Sequence, residues 1–128
     1  MHYEMYLPFP PTVNHYYVKT KRGVFISKKG REFREKVADE INQQLPGTTI
    51  GEENKLSVDV VLFPMDKRKR DVDNYNKALL DAITQAGLWF DDSQVDQLHI
   101  YRGEVVKGGY CIVRIKEAEP IKKLSVIE

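Results

Sequence analysis

The sequence predicts an α+β fold, a small mostly antiparallel or mixed sheet with two helices packed on it. Three observations carry this reading. Apolar residues recur every fourth position from Phe33 to Leu45 and at Tyr75, Leu79 and Ile83, which is the stripe of an amphipathic helix. Short apolar runs at residues 3–7, 55–63, 95–101 and 110–116 have the length and composition of strands. Proline or glycine stands at most of the junctions between them.

Residues 3–7 read as a first strand, stopped by Pro8, Pro10 and Pro11. Tyr16 to Val18 and Val24 to Ile26 flank a polar stretch with Gly23, which predicts a hairpin. Ser27 is placed to cap the first helix, with Phe33, Val37, Ile41 and Leu45 as its buried stripe, and Pro46-Gly47 ends it. In residues 55–63, Val58, Val60 and Leu62 share one face while Val61 and Phe63 join Asp59 on the other. Apolar residues on both faces predict a central strand. Tyr75, Leu79, Ile83 and Ala86 mark the second helix, and Gly87 is its expected stop. Residues 95–101 form the next strand, Lys107-Gly108-Gly109 a turn, and residues 110–116 the last strand, with Cys111, Val113 and Ile115 on one face. A domain over residues 1–117 and a tail over 118–128 follow.

Length and composition fit one domain: 128 residues, 41% hydrophobic and 30% charged. No run approaches the ~20 apolar residues of a membrane-crossing helix. The first residues lack a basic segment followed by an apolar one, so no secretion signal is expected. Cys111 is the one cysteine, which rules out an internal disulfide and fits a cytoplasmic protein. Net charge is only +1, but it is segregated. Residues 1–36 hold eight Lys/Arg against three Glu, and residues 37–63 one Lys against five acids. Such blocks build opposed surfaces or ordinary solvated faces.

The chemistry concentrates in Lys67-Arg68-Lys69-Arg70-Asp71-Val72-Asp73-Asn74-Tyr75-Asn76-Lys77, four bases abutting an Asp-x-Asp pair, and in Asp91-Asp92 beyond the helix. Gathered carboxylates repel unless protonated or bridged by a cation. Mg²⁺ suits them because it takes hard oxygen ligands and shares its shell with water and phosphate. Neighbouring bases would draw a polyanion to such a site. Each feature also has a plain structural use. Asp73 can cap a helix, Asp73, Lys77 and Asp81 can form an ion-pair ladder, Asp91-Asp92 can be turn residues, and the bases can be a solvated loop.

Arg70-Asp71-Val72-Asp73-Asn74-Tyr75-Asn76-Lys77, then Asp81-Ala82, then the segment from Ala86-Gly87-Leu88-Trp89-Phe90 through Asp91-Asp92-Ser93-Gln94-Val95, resembles the RusA family of Holliday junction resolvases. Leu7-Pro8-Phe9-Pro10-Pro11, Asn14-His15-Tyr16-Tyr17 and Lys107-Gly108-Gly109 extend the resemblance over about residues 6–116. It departs at Thr12-Val13, where the family often has polar residues, and in its lower overall charge. The resemblance implies an α+β homodimer that uses Mg²⁺ to nick two opposed strands of a four-way DNA junction in recombination and repair. It implies that Asp71, Asp73 and Asp92 are essential acids, that Asp91 is a further member of their metal cluster, and that Lys77 acts at the scissile phosphate. Asn74 matches a further motif position. Lys67, Arg68, Lys69, Arg70, Asn14 and Tyr17 are the expected DNA contacts, with Tyr16, Tyr17 and Phe9 available to stack on unpaired bases or to pack on the sheet. A different metal-dependent phosphodiesterase, a non-catalytic nucleic-acid-binding module and a phage structural protein with an acidic patch are the competing readings.

Overall fold

The computed structural model describes residues 1–123. Its elements, in chain order, are β1 (His2–Leu7), the single turn α1 (Val13–Tyr16), β2 (Tyr17–Thr20), β3 (Gly23–Ile26), α2 (Lys28–Gln44), β4 (Leu56–Phe63), α3 (Asn76–Gln85), β5 (Val95–Arg102) and β6 (Tyr110–Glu117). Two 3₁₀ turns, Val72–Asn74 and Asp92–Gln94, bracket α3. Four strands form one sheet in the order β1-β6-β4-β5, and β2 pairs with β3 as a separate two-stranded ribbon.

The class predicted from sequence holds, with two refinements. The sheet is mixed, because β4 and β5 run parallel while β1–β6 and β6–β4 are antiparallel. A parallel pair needs a crossover, and α3 supplies it. The hairpin starts at Tyr17 and not Tyr16, because the backbone N–H groups of His15 and Tyr16 both bond Thr12 O and close a helical turn.

β4 is central, as its two-sided apolar pattern predicts. Its Leu56, Val58, Val60 and Leu62 meet Met5 and Leu7 of β1 and Cys111, Val113 and Ile115 of β6 in the core. Phe33, Val37 and Ile41 of α2 and Leu79 and Ile83 of α3 join them. Burying each such aliphatic or aromatic side chain is worth about 1.5–3 kcal/mol. α2 also closes the outer edge of the sheet, where Gln44 Oε1 accepts from Tyr6 N at 2.7 Å and Gln44 Nε2 donates to Tyr6 O at 2.7 Å. No helix is long and apolar enough to cross a membrane among the described residues.

The start of α2 fixes the base of the ribbon. Ser27 caps the helix by accepting from Gly30 N at 3.0 Å, and its hydroxyl also donates to the carbonyls of His15 and Tyr16. A Cβ on Gly30 would lie 2.4 Å from Tyr16 O, so only glycine lets α1 and α2 approach this closely. Residues 118–123 add no regular element, although Ala118 N bonds Lys55 O at 2.8 Å. The rest of the expected tail, residues 124–128, lies outside the described residues.

Candidate active site

The connection from β4 to α3 alternates inward and outward residues. Val72 packs against the core and Tyr75 is buried, with its ring edge-on to Phe9 at 5.1 Å between centroids. Three residues apart on a 3₁₀ turn, they share one side and pin it. Asp71, Asp73 and Asn74 are left exposed. Among the described residues neither Asp71 nor Asp73 commits its carboxylate to a hydrogen bond or ion pair, and Asp73 does not cap α3, whose N-cap position is Tyr75. The helix-cap reading of Asp73 is therefore set aside.

The basic run is folded around Asp66. Arg70 donates to Asp66 Oδ1 at 2.8 Å and to the carbonyls of Asp66 and Arg68, and Arg68 N donates to the same carboxylate at 2.9 Å. The Arg70 guanidinium, with the Arg68 N–H next, holds the Asp66 carboxyl below its usual pKa. Arg70 also lies over the Phe9 ring at 5.9 Å, and its side chain is only 15% exposed. Lys67, Arg68 and Lys69 are exposed around it. Of the four bases, three face solvent and the fourth organises the loop. They rim a cleft of about 450 Å³ whose walls include Phe9, Leu62, Val72, Tyr75 and Val105.

Beyond α3, Gly87 (φ 83°) stops the helix in the left-handed region, as predicted. Leu88 and Trp89 then drop into the core, and Trp89 Nε1 donates to Thr84 Oγ1 at 2.6 Å. The next turn hangs on Gln94, which is 3% exposed. Its Oε1 accepts from Phe90 N and Asp91 N at 2.8 and 3.1 Å, and its Nε2 donates to Gly51 O and Asn54 O at 2.9 and 3.1 Å. Asp91 completes a capping box with Gln94, and the Ser93 hydroxyl that donates to it at 2.8 Å lowers its pKa. The turn role weighed for Asp91 is thus real. Asp92 is different. Partial burial, then the neighbouring Asp91 and Asp81, raise its pKa, and Lys77 opposes them.

Lys77 stands on the first turn of α3, with Nζ 5.9 Å from the centre of the Tyr17 ring. Tyr17 packs edge-on against Tyr16 at 4.8 Å. Tyr16 is buried, and its hydroxyl donates to Asp81. Arg34 of α2 closes the triangle with 2.8 Å to Tyr16 Oη and 2.7 Å to Asp81 Oδ2. Burial, then the Asp81 carboxylate, push the Tyr16 phenol well above its ordinary pKa and keep it a donor. Asp81 therefore pairs across helices with Arg34, and the ladder of Asp73, Lys77 and Asp81 along α3 is not formed. Arg34 carries no sequence signal, since its partners lie 18 and 47 residues away. Asn14 is exposed on α1, and the ribbon beyond Tyr17 presents Lys19, Lys21 and Arg22 to solvent.

The expected four-aspartate cluster is not assembled within the chain. Among the described residues no three His, Cys, Asp or Glu side chains stand close enough to hold a metal ion. Asp71 and Asp73 sit on one turn and Asp91 and Asp92 on another, with α3 between them in sequence. Bare carboxylates gain nothing by approaching one another. As donors they still suit a hard cation, because Asp71 and Asp73 are exposed oxygen ligands with no competing partner and Asp92 is destabilised as an anion.

The profile of the Endodeoxyribonuclease RusA family matches residues 8–116, which takes in both acidic turns, Lys77 and the basic loop. The chain belongs to the RusA family. Similar proteins include the crossover junction endodeoxyribonuclease RusA of Enterobacteria phage HK97, 36% identical over 119 residues, or 93% of this chain and 98% of the phage protein. The protein of the same name from Escherichia coli is 35% identical over 115 residues, 90% of this chain and 94% of the relative. That of Enterobacteria phage 82 is 36% identical over the same shares. The resemblance drawn from the motifs is thereby established for nearly the whole chain. The family is one of endodeoxyribonucleases, so this member of it is an enzyme acting on DNA.

Proposed function

We propose that the protein is a Mg²⁺-dependent endodeoxyribonuclease that resolves four-way DNA junctions by paired symmetric nicks, working as a homodimer in recombination and repair in the cytoplasm. The observation that carries this is the RusA match across both acidic turns, joined to near-full-length relatives named for junction cleavage. Asp71, Asp73, Asp91 and Asp92 would hold the metal once its charge draws the two acidic turns together, with Asp91 also capping its turn. When bound, the metal supplies an activated water and a charge that stabilises the leaving oxygen.

The chain's own groups do the rest. Lys77, steadied against Tyr17, faces the scissile phosphate and offsets its developing charge. Lys67, Arg68 and Lys69 take phosphates of a DNA arm, and Arg70 keeps their loop in shape from behind. Tyr17, beside Lys77, and Asn14, exposed on α1, are further contacts for the DNA. A four-way junction has near two-fold symmetry, so two identical sites related by a two-fold axis match two opposed strands.

The test is a labelled synthetic four-way junction and a linear duplex of the same sequence, with and without Mg²⁺. Symmetric paired nicks in the junction alone are expected, and Asp73→Asn should abolish them while leaving junction binding equal or tighter. Binding without nicks would make the protein a DNA-binding module. Nicks in the linear duplex at the same rate would make it a general phosphodiesterase.

A further inference from the structure

Residues 5–31 contain six Lys or Arg and no Asp or Glu, although the whole chain nets only +1. All six are exposed, and among the described residues none enters an ion pair. Within this stretch β2 and β3 form a ribbon of their own, apart from the four-stranded sheet. Its register pairs Tyr17 with Ile26, Val18 with Phe25 and Lys19 with Val24. Tyr17 and Ile26 pack against the core, so strand alternation turns the Val18–Phe25 pair the other way. Val18 is 45% and Phe25 50% exposed, and Val24, nearer the tip, is 61% exposed. The tip is the two-residue loop Lys21-Arg22, closed by the Thr20 hydroxyl, which donates to Gly23 O at 3.2 Å and accepts from Arg22 N at 3.1 Å. The base is braced as well, with Ser27 N donating to Tyr16 O at 2.9 Å and Arg31 to Ile26 O at 3.3 Å. A phenylalanine and two valines held in water on a braced arm mark a binding surface.

The charge says what binds there. Lys19, Lys21 and Arg22 have no acid beside them in the ribbon and select a polyanion. A polyanion that also offers apolar faces is nucleic acid whose base stacking is interrupted. Linear duplex hides its base faces, and a branch point exposes them. The patch also begins one residue beyond Tyr17, whose ring lies 5.9 Å from Lys77 Nζ. We propose that the β2–β3 ribbon is a wedge for the open centre of branched DNA, with Phe25 and Val18 against a base at the branch and Lys19, Lys21 and Arg22 on the flanking phosphates. This deepens the four-way-junction reading and rests on it, by giving it a physical source of selectivity. Apolar wedges unstack base steps, and unstacking costs least where the stack is already broken. Phe25 therefore gains more from a branch than from a linear duplex. The three cations, which meet phosphates alone, gain equally from both.

The experiment measures binding of the full chain, without metal, to a synthetic four-way junction and to a linear duplex of the same sequence. Each carries 2-aminopurine, which fluoresces when unstacked, at the position that flanks the crossover in the junction. Phe25→Ala should weaken junction binding roughly tenfold, the worth of one stacked base, and duplex binding less than about twofold. Phe25→Trp keeps an aromatic face and should bind the junction like the wild type. Lys21→Ala combined with Arg22→Ala should weaken both substrates alike and lower the slope of log affinity against log salt by about two. At saturation the wild type and that double variant should brighten the probe in the junction, and Phe25→Ala should leave it dark. Equal losses on junction and duplex for Phe25→Ala, or full brightening by it, would overturn the proposal. A wild type that cuts the junction in Mg²⁺ yet leaves the probe dark defeats the wedge alone. One that brightens the probe yet never cuts defeats the nuclease reading and leaves the wedge standing.

Discussion

Removing the Gln94 side chain tests how the second acidic turn is held. Gln94 is 3% exposed and makes four hydrogen bonds, two to the N–H groups of Phe90 and Asp91 and two to the carbonyls of Gly51 and Asn54. At about 1 kcal/mol net for each bond, with water replacing some partners at the surface, Gln94→Ala should cost roughly 3 kcal/mol. For a domain of this size each kcal/mol moves Tm by about 4 °C, so a fall of ~12 °C is expected. Circular dichroism on heating measures it, with Gln97→Ala as control, because Gln97 makes one exposed bond, to Glu119 O. That control should stay within ~2 °C of the wild type. At a temperature where both variants are fully folded, Gln94→Ala should also lose nicking activity, since the turn carrying Asp91 and Asp92 is no longer tied to residues 51–54. A Tm within about 3 °C of the wild type would refute the argument that these four bonds hold the turn.

Gly30→Ala should reverse the usual sign of a helix-interior glycine replacement. Alanine normally gains about 0.5–1 kcal/mol, but here its Cβ would press on Tyr16 O, and urea unfolding should register a loss of ~2 kcal/mol. Arg34→Met should destabilise by roughly 1–3 kcal/mol, because it leaves a half-buried Asp81 carboxylate without its cation. A double-mutant cycle with Asp81→Asn should show coupling of about 1 kcal/mol or more, and additive effects would dissolve the pair. Burial pushes the Cys111 thiol up to about 12. At pH 8 it should therefore hold on the order of a thousandfold less thiolate than an ordinary cysteine. Maleimide should label it only on unfolding, and rapid native labelling would contradict its place in the core.

The two long helices, the strands and the central position of β4 were legible because each rests on local periodicity, whereas the single turn α1 is too short to show one. Ser27 and Gly87 were legible as punctuation for the same reason. The parallel pairing of β4 with β5 was not, since residues 55–63 and 95–101 show only that each is a strand. For the site, the motif residues were legible and their partners were not. Asp81 looked like a rung with Lys77 because both lie on one helix, but a guanidinium from α2 reaches it first. Arg70 read as one of four equal cations, and only the fold turns it inward onto Asp66 and Phe9. Gln94 passed unremarked inside its motif because nothing in a sequence shows that an amide is buried. That the four aspartates form no ready metal cluster is likewise a matter of where α3 carries the chain.

The Gln44 amide on Tyr6 has a consequence for how copies of this protein can join. An open outer strand invites another chain to pair with it and lengthen the sheet, the route to fibres and exchanged strands. Gln44 occupies both the donor and the acceptor of Tyr6 with the groups a neighbouring strand would offer. Sideways growth at that edge would have to displace it. Open-ended lengthening of the sheet from that side is thereby obstructed.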